Sequence, residues 1–248
     1  MDEIIERTIK YLKRNGFGAF YAENGEKAAE LIMDMIPVNE TVGIGDSATL
    51  RQIRVPRMLR DDGRIVIDPF DDRIVERMNT GEVTAVDNLK YSRMALGCDW
   101  FVTGTNVLTE DGILMNTDCT GNRVAGMFFG PVNSIMVVGR NKIVPDVEAG
   151  YDRLRNICGT FHSKTKQRKN PCVKTGKCMN CNSPDRLCRI TTVLEKRPKN
   201  TNANVIIIDE DLGLGWDVSW DTESIDRIYY AYASVTLMRR PAWMDDQK

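Results

Sequence analysis

The sequence predicts an α/β fold: a mostly parallel sheet with helices on both faces, interrupted by one cysteine-rich, metal-binding loop. Three observations carry that reading. Short apolar strands alternate with helix-period segments as far as about His162, the pattern of a parallel sheet whose crossovers are helices. Ser134 to Gly139 (Ser-Ile-Met-Val-Val-Gly) is a continuous apolar run of strand length, as expected of a strand buried on both faces. From His162 to Arg189 the periodicity vanishes and cysteines gather, and a loop of that length in a compact domain needs something to organise it.

The elements follow in order. Ile4, Ile5, Ile9 and Leu12 recur at helical spacing, and Asn15-Gly16 supplies the stop. A strand follows at Phe17 to Tyr21. Asn24 caps a second helix carrying Ala28, Leu31, Ile32 and Met35 before Pro37. Thr41 to Gly45 is an apolar strand ending in glycine, and Arg64 to Ile67 is another strand. Ala85 to Leu96 reads as a helix, with Trp100 to Thr103 as the strand after it. Pro145 opens a helix running past Val147, Tyr151 and Leu154. Asn204 to Asp209 restores a strand after the loop. Asp221 to Met238 is helical, with Ile225, Ile228, Tyr229, Tyr232 and Val235 on one side.

Hydrophobic residues make up 42% and charged residues 28% of the 248, an ordinary balance for a chain that buries a core. A net charge of −1, from 34 basic and 35 acidic side chains, gives no global attraction to nucleic acid or an anionic membrane. No apolar run approaches the roughly 20 residues a spanning helix needs. The start, Met1-Asp2-Glu3-Ile4-Ile5-Glu6, is acidic and amphipathic rather than a secretion signal. The expected location is therefore the cytoplasm. There, clustered cysteines are more often metal ligands or redox groups than disulfides.

Four of the seven cysteines fall in the pattern Cys172-x5-Cys178-x2-Cys181-x6-Cys188. The central pair fits two ligands of one metal. Lys174, Lys177, Arg186 and Arg189 lie among them and favour thiolates. Structural zinc sites usually show two C-x-x-C pairs, and one is present here. Iron–sulfur clusters tolerate less even spacing. A [4Fe–4S] cluster is therefore the first expectation and zinc the alternative. Cys98 and Cys158 read as core or helix-end residues.

Two polar segments complete the candidate site. Gly43-x-Gly45-Asp46-Ser47-x-Thr49 follows a strand and opens a helix, where backbone N–H groups and hydroxyls attract an anion. It lacks the third glycine and the lysine of nucleotide-binding loops, and a plain strand–turn–helix junction capped by Asp46 or Ser47 explains it equally well. Further along, Glu110-Asp111-Gly112 reads as a hairpin turn. Asn106, Asn116, Asp118, Asn122 and Arg123 surround it with hydrogen-bonding groups and one cation, suited to a small carboxylate or phosphate. His162, the single histidine, lies beside lysines and reads as surface.

The stretch Val42 to Leu50, the run Leu108 to Asp118 with Gly121-Asn-Arg-Val-Ala125, Gly130-Pro131, Val137 to Ile143, and Pro171 to Cys188 together resemble the LUD-domain, or lactate-utilisation, family. The resemblance covers most of residues 1–213. It implies a domain over residues 1–216, including the cysteine loop 162–189, related to ribose-5-phosphate isomerase and CoA transferases, with 217–248 as a C-terminal helical extension. It implies that the Gly43 loop and the Asn116 to Arg123 segment face one cleft, and that the four cysteines act as a unit. The implied function is a redox or electron-transfer component of an L-lactate-oxidising system. It would hold a small anion, with lactate the candidate, and work beside iron–sulfur partner proteins. By the same fold analogy, a non-redox acyl-transfer or isomerase-type enzyme would use Glu110 as nucleophile or base. A ligand sensor with structural zinc is the third reading. Homo-oligomerisation stays open. Cys119 stands where the family usually has glycine, and His162-Ser-Lys where Asn-Ala-Lys is common.

Overall fold

A computed structural model describes residues 2–237. The first helix, α1 (Glu3–Arg14), is capped by the Asp2 carboxylate, which accepts from the Ile4 N–H. β1 (Gly18–Ala22) leads to α2 (Gly25–Met35), capped by Asn24 as its sequence indicates. Then come β2 (Val42–Ile44), the short α3 (Ala48–Gln52) and α4 (Val55–Asp61), and β3 (Val66–Ile67). After α5 (Asp72–Asn79) and α6 (Ala85–Ala95), β4 (Trp100–Gly104) returns to the sheet. β5 (Val107–Thr109) and β6 (Leu114–Asp118) form a hairpin, followed by α7 (Asn122–Phe128) and β7 (Asn133–Gly139). β8 (Ile143–Val144), α8 (Val147–Arg153), α9 (Thr160–Thr165) and α10 (Pro171–Thr175) precede β9 (Ile190–Leu194), β10 (Asn202–Ile208) and α11 (Thr222–Leu237).

The central sheet has six strands in the order β1-β10-β7-β4-β2-β3, with every pairing parallel. Alternation along its middle strands builds two cores. Ile206, Ile208, Ile135 and Val137 meet the α2–α4 side through Ala28, Ile32, Leu50 and Leu59. Val205, Ile207, Met136 and Val138 meet α1 and α7 through Ile5, Leu12, Val124 and Met127. Both faces are thus covered, which is why these strands read as unbroken apolar runs. A second, mixed sheet has the order β8-β5-β6-β9, and Leu108 and Leu114 bind it to the second core.

Three expectations need correction. The strand expected from Arg64 shrinks to Val66–Ile67, because it is an edge strand paired to β2 at only two positions. The buried Arg64 guanidinium instead donates to the Met33 and Ile36 carbonyls at the end of α2, both at 2.8 Å. The helix from Val147 does not stop before His162. It passes through a π-helical turn at Leu154–Gly159 into α9. The turn shifts the apolar phase, so a single 3.6 period cannot describe the segment, and the loop begins at Lys166. Within that loop α10 forms one short helix, and β9 follows it without having been expected. α11 matches its reading up to Leu237, and Ile228 and Tyr232 pack against Ile157, Leu214 and Trp216. Met238 and the residues after it lie outside the described residues.

Candidate functional site

The carboxyl ends of β2, β4 and β7 open into one cleft of about 510 Å³. β2 lies between β3 and β4, so the chain leaves it towards β3 and returns on its other side. Parallel sheets bind ligands at such a reversal point. The β2–α3 loop supplies Asp46, Ser47 and Thr49 to one wall, and the β6–α7 segment supplies Asp118, Asn122 and Arg123 to another. Asn106 joins them. The two polar segments therefore face each other.

Other expected residues stand behind the cleft or away from it. Gly43 and Gly45 are not in its lining. A Cβ at Gly43 would overlap the Ala95 carbonyl, and one at Gly45 would crowd Thr103 and Phe101, so Gly43 lets α6 pack on the sheet and Gly45 lets the chain pass close to β4. Ser47 caps α3, accepting from the Leu50 N–H at 3.4 Å. Asn116 is fully buried and supports the wall from within, its Oδ1 accepting from the Asn106 N–H at 2.9 Å. Asp118 accepts from the Val124 N–H at 3.2 Å and so fixes the start of α7. Glu110 is not in the cleft lining. It sits on the β5–β6 turn and pairs with Arg7 of α1, which removes the positional support for its role as nucleophile or base.

Arg123 is not the open fork that its segment implies. One terminal nitrogen donates to Asn116 Oδ1 at 2.7 Å and the Gly104 carbonyl at 3.3 Å. The other donates to the Thr117 carbonyl at 2.8 Å and Asn106 Oδ1 at 3.0 Å. Asp118 lies 4.0 Å from its Nε. The guanidinium braces the cleft and contributes positive charge to it, while the carbonyls and amides it binds occupy its donors.

The cation that sequence reasoning missed is Lys142. It lines the cleft, is only 4% exposed, and donates to Thr49 Oγ1 at 2.7 Å and the Thr105 carbonyl at 3.3 Å. Burial, with Arg123 and Arg153 nearby, pushes its amine down to about 8, against a smaller opposing pull from Cys158. Burial pushes the Cys158 thiol up, although Arg153, Lys142 and Arg123 draw it down. The readable signal was position: Lys142 follows the carboxyl end of a buried parallel strand.

His162 is likewise in the cleft lining rather than on the open surface. Its Nδ1 shares a hydrogen bond with the Tyr232 hydroxyl of α11. Burial lowers it to about 4, helped by the cationic Lys166 and opposed by Asp46, so the ring is neutral at ordinary pH. Burial and the nearby Asp46 raise Tyr232 well above the usual phenol range.

The cysteine loop borders this cleft. Cys188 and Cys119 are both in its lining. Gly159 of the π-helical turn lies against Cys188, where a Cβ would be 3.8 Å from Sγ. Cys172, Cys178, Cys181 and Cys188 are all free and half-buried. Burial raises the Cys172 thiol, Ser163 and Thr160 hydroxyls lower it, and Cys181 and Cys188 are near enough to raise it further. The Asn180 N–H points at Cys178 Sγ at 3.5 Å. Among the described residues no group of three or more metal-binding side chains is placed to hold an ion. The donor chemistry nevertheless fits a thiophilic metal: thiols on one short loop, with an N–H directed at sulfur. No helix among the described residues is long and apolar enough to cross a membrane.

The model of the LUD domain matches residues 5–208. The chain belongs to the LUD-domain family. That family is linked broadly to lactate utilisation. No curated protein matches the chain. Among solved structures, the LUD-domain chain is similar to a DUF162 family protein from Deinococcus radiodurans, at 14% identity and a TM-score of 0.44, over 83% of this chain and 96% of that one.

Proposed function

We propose that this LUD-domain protein holds a small organic carboxylate of the lactate type in its cleft, beside a metal centre on the cysteine loop, as a redox component. The observation that carries the reading is Lys142, a buried cation on the wall of a cleft that Cys188 also lines. A cation kept out of water is costly unless something compensates it, and an anionic ligand does so. Arg123 adds to the positive field. Thr49 and Ser47 offer hydroxyls, and the neutral His162 offers an uncharged hydrogen-bonding ring beside the ligand. The volume also admits acids longer than lactate.

Cys172, Cys178, Cys181 and Cys188 would hold the metal, with an iron–sulfur cluster first and zinc second. A bound cluster supplies electron storage next to the ligand, whereas zinc would leave only a structural role. The tests are direct. Protein purified without oxygen should contain iron and acid-labile sulfide, and colourless protein with one zinc per chain would remove the redox half of the proposal. Titration with L-lactate and longer 2-hydroxy acids should show affinity that falls about tenfold to hundredfold in Lys142→Met, the loss expected for one charged hydrogen bond. Equal affinity in both proteins would remove the other half.

A further inference from the structure

Lys142 is built differently from an ordinary anion-binding lysine. Its Nζ is buried in the cleft wall and is held by a hydroxyl and a carbonyl. Gly213, with φ +71°, passes over it so closely that a Cβ there would stand 2.6 Å from Nζ. The stem is thereby fixed, and little freedom remains to be lost when Nζ reacts. The titratable groups that bear on it are Cys158, Arg123 and Arg153.

We propose that Lys142 condenses with the carbonyl of a 2-oxo carboxylic acid in the cleft, forming an iminium. The inference rests on the carboxylate reading of the cleft and narrows its ligand class. In the step, Nζ attacks the carbonyl carbon, a C–N bond forms, and the C–O bond breaks. The ammonium and the carbonyl compound together yield a protonated imine and one water, so charge and atoms balance and no oxidant is needed. The iminium keeps a positive charge beside the carboxylate, so the electrostatic fit survives the reaction. Desolvation together with neighbouring cations is the arrangement that makes a lysine amine nucleophilic near neutral pH, and both act on Lys142.

The test incubates the full chain with pyruvate and sodium cyanoborohydride, then maps the modified peptides. Lys142 should gain the mass of pyruvic acid less one oxygen, at least about tenfold faster than any exposed lysine. Excess L-lactate, which has no carbonyl to condense, should suppress that adduct. Lys142→Arg, which keeps a cation but has no condensable amine, should lose the adduct. If that variant does not fold, suppression by lactate in the wild type decides the matter. Pyruvate that binds without modifying Lys142, or adducts spread over lysines according to exposure, overturns the inference and leaves the cleft reading intact. Failure of both acids to bind overturns both.

Discussion

The parallel sheet and the cysteine loop keep their chains ordered by opposite means. In the sheet, Ile206, Ile207, Val137 and Val138 are wholly buried, and β7 is hydrogen-bonded to a strand on each side. In the loop from Lys166 to Arg189, Asn170 is the one fully buried residue among those described, and it is polar. Its Nδ2 donates to Ser163 Oγ and the Asp185 carbonyl, both at 3.1 Å. Arg186 gathers the thiol-bearing backbone, donating to the Cys181 carbonyl at 2.6 Å and the Cys188 carbonyl at 2.8 Å. Ordering costs about 1–2 kcal/mol per residue, and a polar contact returns about 1 kcal/mol. The sheet meets that cost by burial, and the loop has only polar contacts to set against it. The sheet is thus ordered by burial, whereas the loop is ordered by polar side-chain contacts such as those of Asn170 and Arg186.

The largest effect should come from the sheet. Ile206→Ala should remove about 4 kcal/mol of stability and lower the whole melting transition. A loss below about 1 kcal/mol would show that the core tolerates a void there. Arg123→Ala stands between the two regions. It removes a charged donor from the Asn116 and Asn106 amide oxygens and from the Gly104 and Thr117 carbonyls, and should cost about 3 kcal/mol. A variant that melts like the wild type but binds carboxylates weakly would overturn its bracing role.

The pH dependence comes next. His162 titrates near 4 in the folded chain against 6.5 as its ordinary value. The unfolded chain therefore takes up a proton that the folded one refuses as pH falls. Stability should be fully present above pH 6.5 and decline by about 3 kcal/mol on approach to pH 4. His162→Gln should flatten that part of the profile, and an unchanged slope would assign it to other groups. The smallest global effect belongs to Arg186→Ala. Its melting temperature should move by no more than about 0.5 kcal/mol would produce, while amide exchange and proteolysis around Cys178 to Cys188 accelerate. Global destabilisation instead would mean that the loop and sheet are one cooperative unit.

What was legible in the sequence follows the same division. The β7 and β10 strands announced themselves as apolar runs, and α2 by its Asn24 cap, because burial and capping are local signals. The Asp46 to Thr49 and Asn116 to Arg123 segments were readable as polar stretches next to strands, and both contribute to the lining of one cleft, with Asn116 behind it. Lys142 and His162 were not, since a basic residue among polar neighbours looks solvated until distant chain closes over it. Gly213 covers Lys142, and Tyr232 meets His162 from α11. Arg123 misled in the other direction: its donors are spent on carbonyls and amides whose approach no spacing reveals.

The π-helical turn at Leu154–Gly159 has a consequence for how this chain tolerates length change. A π turn is an α-helix with one residue more than the turn needs. Removing one residue there would let α8 run straight into α9 with ordinary hydrogen bonds. Because the wide turn absorbs the extra residue, the same deletion would leave α9 close to its present phase, with His162 still facing Tyr232 and Ser163 still facing Asn170. A single-codon deletion at this turn should therefore be tolerated, whereas one inside α8 would turn the side chains of α9 by about 100° away from the cleft.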